Sequence, residues 1–191
     1  MSLLEHLDAF KADFEGGKLA CKPSPQVLDI MHRATAELIA SGQSLHAKKA
    51  EDKAPEFTLK DSDGQDVSLA ELLAKGPVVA ISPQTAPNSR RSQRDNSLTF
   101  PILSDEKSRV AAAFGLRFSL TDYLVELDKG LKNDLPAFND DPAWVLPMPA
   151  RYMIGFDSVI AYAEVNPDYT QRPDRSELLP VLDKLRATSA A

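Results

Sequence analysis

The first fifty residues carry hydrophobic side chains at intervals of three and four, the spacing of one face of an α-helix. The pattern predicts two amphipathic helices, one ending before Gly16 and Gly17 and one beginning near Ser24, a favourable N-cap residue. The first stripe consists of Leu3, Leu4, Leu7, Phe10 and Phe14. Because no strand accompanies these helices, residues 1–50 are predicted to be a helical extension that packs on the rest of the protein or on a second copy.

The pattern changes after residue 51. A short strand at Phe57–Leu59 and another near Val67–Ser68 are separated by Asp61–Gly64, whose Asp-Gly is a hairpin signal. Leu69–Lys75 reads as a short helix closed by Gly76. An apolar run then begins at residue 77 and predicts a buried strand, which leads into a polar segment rich in arginine.

Strands and helices alternate through the remaining sequence. Strands are predicted at Phe100–Leu103, Tyr152–Phe156 and Ile160–Val165, the last two as a hairpin. Helices are predicted at 88–96, 107–114, 121–129 and 177–185, and residues 133–149, with four prolines, are predicted to be a long loop. This alternation indicates an α/β sandwich over residues 51–191, the second part of the chain.

Composition excludes several classes of partner. The chain of 191 residues has a net charge of -6, with 43% hydrophobic and 26% charged residues. An acidic chain lacks the basic surface that nucleic acids and anionic membranes need. No apolar run approaches the roughly 18 residues of a membrane-spanning helix. The N-terminus lacks the basic and apolar regions of a secretory signal, so we expect a cytoplasmic protein.

Several stretches resemble, in order, the peroxiredoxins of the alkyl hydroperoxide reductase / thiol-specific antioxidant family. They are KAPEFTLKDSDGQDVSLAELLAKGPVV, VAISPQTAPNS, LTFPILSDEKSRVAAAFGL and LPMPARYMIGFDSVIAYAEVNPDYTQRP. The resemblance implies a thioredoxin-like, three-layer α/β sandwich with a central mixed sheet, an N-terminal β-hairpin and an added N-terminal helical pair. It also implies a thiol-dependent, antioxidant reduction of peroxides and a thioredoxin-type reductant, with no cofactor.

The sequence departs from the family where the redox cysteine is expected. In the family, the strand after GPVV leads into a cysteine-bearing loop and a long helix, and a strand like VAISPQT follows later. Here GPVV and AISPQT are fused, so roughly 30 residues, about one strand and one helix, are absent. We therefore predict a chain without peroxidase activity. The alternative is an active peroxidase or oxidoreductase that uses Cys21 or a segment not contained in this sequence.

Cys21 is the single cysteine of the chain, so an internal disulfide is impossible. Lys22 adjoins it and a helix is predicted to begin near Ser24, and both features favour a thiolate. It lies outside the thioredoxin-like part, however, and no second cysteine could resolve a sulfenic acid within the chain. The other interpretation is a small buried or loop thiol that packs as a hydrophobic side chain.

Three residues are candidates for the family's substrate face. Trp144 lies in the proline-rich loop, where it could line that face or cap the core. Pro149 matches the cis-proline position of thioredoxins, which predicts a cis peptide bond between Met148 and Pro149. Arg151 shares a strand face with position 149 by alternation and could reach the site, or it could be a surface arginine.

We expect no metal site and no nucleotide cofactor. His6, His32 and His46 are neither paired at i, i+4 nor accompanied by cysteine ligands. The sequence contains no glycine-rich phosphate loop. The basic cluster of Arg90, Arg91 and Arg94 is interpreted as a solvated helix face, with an anion or partner site as the alternative.

Loss of a central strand would leave two open sheet edges. We predict that Val78–Pro83 takes the central position, paired with Phe100–Leu103 on one side and Tyr152–Phe156 on the other. Loss of the helix would also expose an apolar patch at Val79, Ile81 and Ile154. The N-terminal helices or a second copy, in a symmetric homodimer, are predicted to cover this patch.

Overall fold

The computed structural model describes residues 2–20, 22–76 and 78–189. The described residues form helices and strands that alternate as the sequence predicts. The helices are α1 (Leu3–Glu15), α2 (Pro25–Ala40), α3 (Leu69–Lys75), α4 (Ala86–Asp95), α5 (Arg109–Ala113), α6 (Asp122–Gly130), α7 (Leu135–Asn139) and α8 (Leu179–Ser189). The strands are β1 (Thr58–Lys60), β2 (Asp66–Ser68), β3 (Ala80–Ser82), β4 (Ile102–Ser104), β5 (Arg117–Ser119), β6 (Val145–Pro147), β7 (Ala150–Ile154) and β8 (Ile160–Val165).

Serine residues begin the helices as expected from their capping chemistry. The Oγ of Ser24 accepts a hydrogen bond from the Val27 amide at 3.3 Å, and Pro25 follows in the first turn of α2. Ser68 and Glu71 form a reciprocal capping box that starts α3 directly after β2. These local bonds satisfy amide groups that would otherwise lack partners at a helix start.

A mixed sheet of four strands forms the centre of the molecule, in the order β2-β1-β4-β3. β1 pairs antiparallel with β2 and with β4, whereas β3 pairs parallel with β4. Leu103 at the middle of β4 is fully buried, and α4 packs against this strand. The predicted α/β class, the central mixed sheet and the N-terminal hairpin are therefore confirmed.

The pairing predicted for β3 is wrong on one side. β3 pairs with β4, but β7 and β8 form a separate two-stranded antiparallel sheet. The residues before β1 hold this hairpin in its own position: the Glu51 amide donates to the Ile160 carbonyl at 2.8 Å, and the Ile160 amide donates to the Asp52 carbonyl at 2.9 Å. The edge of the central sheet thus stays at β3 within the described part of the chain.

The long loop predicted at 133–149 is also wrong in part, because it contains α7 and β6. Asp134 starts α7 by accepting from the Ala137 amide at 3.1 Å, and a proline lies in the helix's first turn. β6 pairs antiparallel with β5, a strand that the sequence pattern did not reveal. A three-residue strand is too short to show alternation of polar and apolar positions.

The predicted apolar patch is partly present. Ile81 is 37% exposed and the neighbouring Val78 is 69% exposed, whereas Val79 is half-buried and Ile154 packs against the core. No described residue of α1 or α2 is fully buried; α2 packs on α6, and Leu38 contacts the core. The N-terminal helices therefore leave Ile81 uncovered.

Gly115 lets the linker after α2 approach the core closely. Its φ is +74°, and a Cβ at this position would lie 2.2 Å from the His46 carbonyl oxygen. Beside it, the Lys48 amide donates to the Phe114 carbonyl at 2.9 Å. Only glycine combines this backbone conformation with so short an approach.

Candidate functional site

The connection from β3 to α4 follows the apolar run of residues 78–81. Three residues, Pro83, Gln84 and Thr85, separate the two elements. The Thr85 amide donates to the Phe138 carbonyl at 3.2 Å, and the Asn88 side-chain amide donates to the same carbonyl at 2.9 Å. The entrance of α4 is thereby tied to α7. This connection contains no thiol, since the single cysteine of the sequence is Cys21.

Cys21 lies outside the residues that the structure describes. Its role as a redox thiol therefore stays a sequence-based prediction.

Arg151 on β7 pairs with the neighbouring strand. Its Nε lies 2.8 Å from Oε2 of Glu164 on β8, and its Nη2 donates to the Pro173 carbonyl at 2.9 Å. The Glu164 side chain is only 12% exposed. Arg151 thus links the hairpin to the segment that follows it, and its guanidinium already has two partners in the described structure.

Burial sets the electrostatics around this ion pair. It raises the pKa of Glu164, and the positive charges of Arg151 and Arg172 oppose that shift. Burial also lowers the pKa of Arg172, against the favourable charge of Glu164. Glu164 therefore lies in the field of two guanidinium groups, and Asp168 adds a second favourable charge at Arg172.

Trp144 and Pro149 lie on either side of β6. Trp144 is half-buried, and the Lys129 Nζ lies 6.0 Å from the centroid of its indole ring, within cation–π range. Pro149 is half-buried, and its carbonyl accepts from the Asn166 amide at 3.4 Å. Among the described residues, no hydrogen bond or ion pair joins Trp144, Pro149 and Arg151 to one another.

The peptide bond between Met148 and Pro149 is trans, because the described chain contains no cis peptide bond. The cis prediction is therefore wrong. Met148 is almost fully buried, and its amide donates to the Leu116 carbonyl at 2.9 Å, so the residue before the proline is held by the core.

Two features were not recognised in the sequence. Tyr152 packs on Phe114 with ring centroids 4.9 Å apart, and burial raises the pKa of its phenol to about 12. Asp105, only 1% exposed, accepts from the amides of Val110 and Ala111 at 2.9 and 2.8 Å. An aspartate shortly before a helical pattern was the available signal for this cap.

The basic cluster on α4 is exposed, as the solvated-face interpretation predicts. Arg94 lies 3.0 Å and Arg91 3.5 Å from the carboxylate of Asp95, and Arg90 donates to the Ser62 carbonyl. Among the described residues, no group of three or more His, Cys, Asp or Glu side chains could hold a metal ion. None of the helices in the described ranges is long and apolar enough to cross a membrane.

Two open cavities border the helical extension. One, of about 420 Å³, lies between α1, α2 and residues 168–170 and has mainly apolar walls. The other, of about 430 Å³, lies between α2, β5 and α6. At its rim the Tyr123 hydroxyl donates to Glu37 at 2.5 Å, and the Arg33 guanidinium lies 3.6 Å above the Tyr123 ring. Neither cavity includes Trp144, Pro149 or Arg151.

Solved structures of peroxiredoxins and thiol peroxidases share this fold. The peroxidoxin BcpB from Mycobacterium tuberculosis matches with 18% identity and a TM-score of 0.51, over 73% of this chain and 97% of that chain. A peroxiredoxin-like protein from Aquifex aeolicus matches with 16% identity and a TM-score of 0.52, over 73% and 88%. A thiol peroxidase from Chromobacterium violaceum matches with 14% identity and a TM-score of 0.51, over 72% and 88%.

No curated protein matches the chain. Residues 73–163, from the end of α3 into β8, match the model of the AhpC/TSA family. The chain therefore has the thioredoxin-type fold that the solved peroxiredoxins share, and its residues 73–163 are similar to the AhpC/TSA family.

Proposed function

We propose that this chain is a non-catalytic peroxiredoxin-like protein, which keeps the scaffold for binding or assembly but does not turn over peroxide. One observation carries the proposal: β3 passes into α4 through Pro83–Thr85, and the only cysteine, Cys21, precedes the family-matched residues 73–163. The matched region thus has a helix start but no nucleophile of the required kind.

Peroxide reduction needs a thiolate, favoured by a helix N-terminus and nearby cations in a partly exposed pocket. The first turn of α4 offers Asn88 and Ser89 instead, and Ser89 is fully buried. A serine hydroxyl cannot be oxidised to the sulfenic acid on which the reaction depends. The start of α4 therefore cannot replace the lost cysteine.

The proposal is tested by peroxide consumption with the purified chain, supplied with either hydrogen peroxide or an organic hydroperoxide. Thioredoxin with its reductase serves as electron donor, and dithiothreitol as a donor that needs no docking. We expect no rate above that of a free thiol, and the same result for Cys21→Ser. A saturable rate that Cys21→Ser abolishes would overturn the proposal and identify an active thiol peroxidase with Cys21 as nucleophile.

Assembly and location belong to the same proposal. We propose a homodimer, which the exposed apolar side chains of Val78 and Ile81 support. A cytoplasmic location is supported by the single cysteine, since a reducing compartment imposes no need for disulfides. Trp144, Pro149 and Arg151 stay our candidates for the substrate face of the thioredoxin-like scaffold.

A further inference from the structure

The cavity of about 420 Å³ at the helical extension opens between α1, α2 and residues 168–170. Its apolar walls come from both helices and consist of Leu7, Phe10, Phe14, Leu28, Met31 and Ile39. At about 30 Å³ for each water-sized group, this volume has room for roughly 14 non-hydrogen atoms. Cavities of this size, with mainly apolar walls and a few polar groups, are typical of binding sites for small molecules.

Most polar side chains in the walls already have partners. The Glu15 carboxylate lies 2.8 Å from Nε2 of His32, and the Thr35 hydroxyl donates to a carbonyl of its own helix at 3.1 Å. On the third wall, Asp168 accepts from the amide and the hydroxyl of Thr170 at 2.9 and 2.7 Å. These groups therefore need no ligand to satisfy their hydrogen bonds.

Lys11 differs from these groups. The residue is half-buried in the cavity wall, yet among the described residues no hydrogen bond or ion pair engages its ammonium. Its charge still acts on Asp168: burial raises the pKa of that carboxyl, but hydrogen bonds from Thr170 and the charge of Lys11 help to lower it below its ordinary value. An ammonium carries three donors, so Lys11 has donors left for an anionic ligand. Tyr169 is 52% exposed, so water can bind its hydroxyl.

We propose that this cavity binds a free aliphatic monocarboxylate of about eight to twelve carbons, a size that its volume admits. The carboxylate binds the Lys11 ammonium, and the alkyl chain lies against the apolar side chains of α1 and α2, where it leaves water. A cationic amphiphile would be repelled by Lys11, and the two carboxylates of the walls already accept hydrogen bonds. The inference concerns the helical extension, so it does not depend on whether residues 73–163 support peroxide reduction.

Three ligands with the same alkyl chain test the head-group preference. They are sodium octanoate, octan-1-ol and octylammonium chloride, titrated into the full chain by calorimetry. We expect octanoate to bind about tenfold more tightly than octanol, because a hydrogen bond to a charged donor adds to the apolar contacts. Octylammonium should bind more weakly than octanol. Octylammonium binding as tightly as octanoate, or no octanoate binding at millimolar concentration, overturns the proposal.

A change of Lys11 tests the position of the carboxylate. Lys11→Met keeps an apolar stem but removes the charge, so the affinity for octanoate should fall about tenfold, to that for octanol. The affinity for octanol should not change, which also shows that the variant is folded. Lys18→Met is the matched control, because the Lys18 side chain is 71% exposed and pairs with Asp13 outside the cavity walls. Unchanged octanoate binding by Lys11→Met, or an equal loss in Lys18→Met, contradicts the assignment.

A change of cavity volume tests the position of the alkyl chain. Ala36 lies in the wall on α2, so Ala36→Trp should fill the cavity and abolish binding of both octanoate and octanol. Ala12→Trp is the matched control, because Ala12 is exposed on α1 and lies outside the walls. Circular dichroism checks that both variants keep the native helix content. Octanoate binding by folded Ala36→Trp with the affinity of the wild type would place the ligand elsewhere and overturn the proposal.

Discussion

Arg151 and Glu164 form an ion pair, with 2.8 Å between Nε and Oε2, that joins the two strands of the C-terminal hairpin. The same arginine donates to the Pro173 carbonyl, in the segment that leads to α8. In that segment, Asp174 accepts from the Leu3 amide at the start of α1. A short chain of polar contacts therefore connects the hairpin with the helical extension.

Glu164 should make the stability of the protein fall as pH rises. Its pKa is raised above 4.5 in the folded state by burial, and Glu177 adds to the shift while Arg151 and Arg172 oppose it. The unfolded chain thus loses the proton first, and stability is lost between pH 4.5 and the folded-state pKa. In urea unfolding at several pH values, Glu164→Gln should lack this component of the pH dependence.

Glu71 provides a control with the opposite sign. Hydrogen bonds from Ser68 lower the pKa of Glu71, so its contribution is present above pH 4.5 and is lost as pH falls through the folded-state pKa. The difference in stability between wild type and Glu71→Gln should therefore grow as pH rises. If both variants shift the pH profile in the same direction, the assignment of the Glu164 effect to burial is wrong.

The sequence predicted those elements whose residues carry local information. Ser24 begins α2, Ser68 begins α3, and the Asp61–Gly64 turn joins β1 to β2, because capping and turn chemistry act over a few neighbouring residues. The pairing of β3 was only half predicted. In the described structure β3 is an edge strand because hydrogen bonds from residues 51 and 52 to Ile160 hold the β7–β8 hairpin in a separate sheet. These bonds join residues far apart in the chain, so a local sequence pattern does not predict them.

The contacts of the candidate site residues could be predicted less well from the sequence than the helices and turns. Alternation led us to expect Arg151 on the same strand face as position 149, which stays a prediction, and it did not reveal that Glu164 and the Pro173 carbonyl contact Arg151. Glu164 lies thirteen positions from Arg151 on another strand, and a local sequence pattern does not predict a contact between residues so far apart in the chain. Trp144 and Pro149 were chosen by resemblance alone, so their roles stay predictions.

Gly115→Ala should destabilise the protein strongly. An alanine here would have to adopt a φ of +74° and would bring its Cβ within 2.2 Å of the His46 carbonyl oxygen. The conformation alone costs about 1–2 kcal/mol, and displacement of the linker adds to it, so we expect a loss of at least about 3 kcal/mol in chemical denaturation.

Gly64→Ala separates the cost of a positive φ from the cost of a steric clash with the linker. Gly64 also has a positive φ, +82°, but no atom lies within 4 Å of the position that a Cβ would take. This variant should therefore lose only the conformational part, about 1–2 kcal/mol. Equal losses in the two variants would show that the linker does not press against Gly115.

Asp105→Ala should be among the most damaging changes of a single carboxylate in this chain. Its two oxygens accept from the amides of Val110 and Ala111, and the residue is 1% exposed, so water cannot replace the lost acceptor. Two amides without partners should reduce the free energy of unfolding by about 2–4 kcal/mol. Asp134 is the matched control, because it caps α7 through one exposed bond to Ala137, and Asp134→Ala should cost about 1 kcal/mol. Urea denaturation of both variants measures the difference, and a smaller loss for Asp105→Ala than for Asp134→Ala would contradict the role of burial.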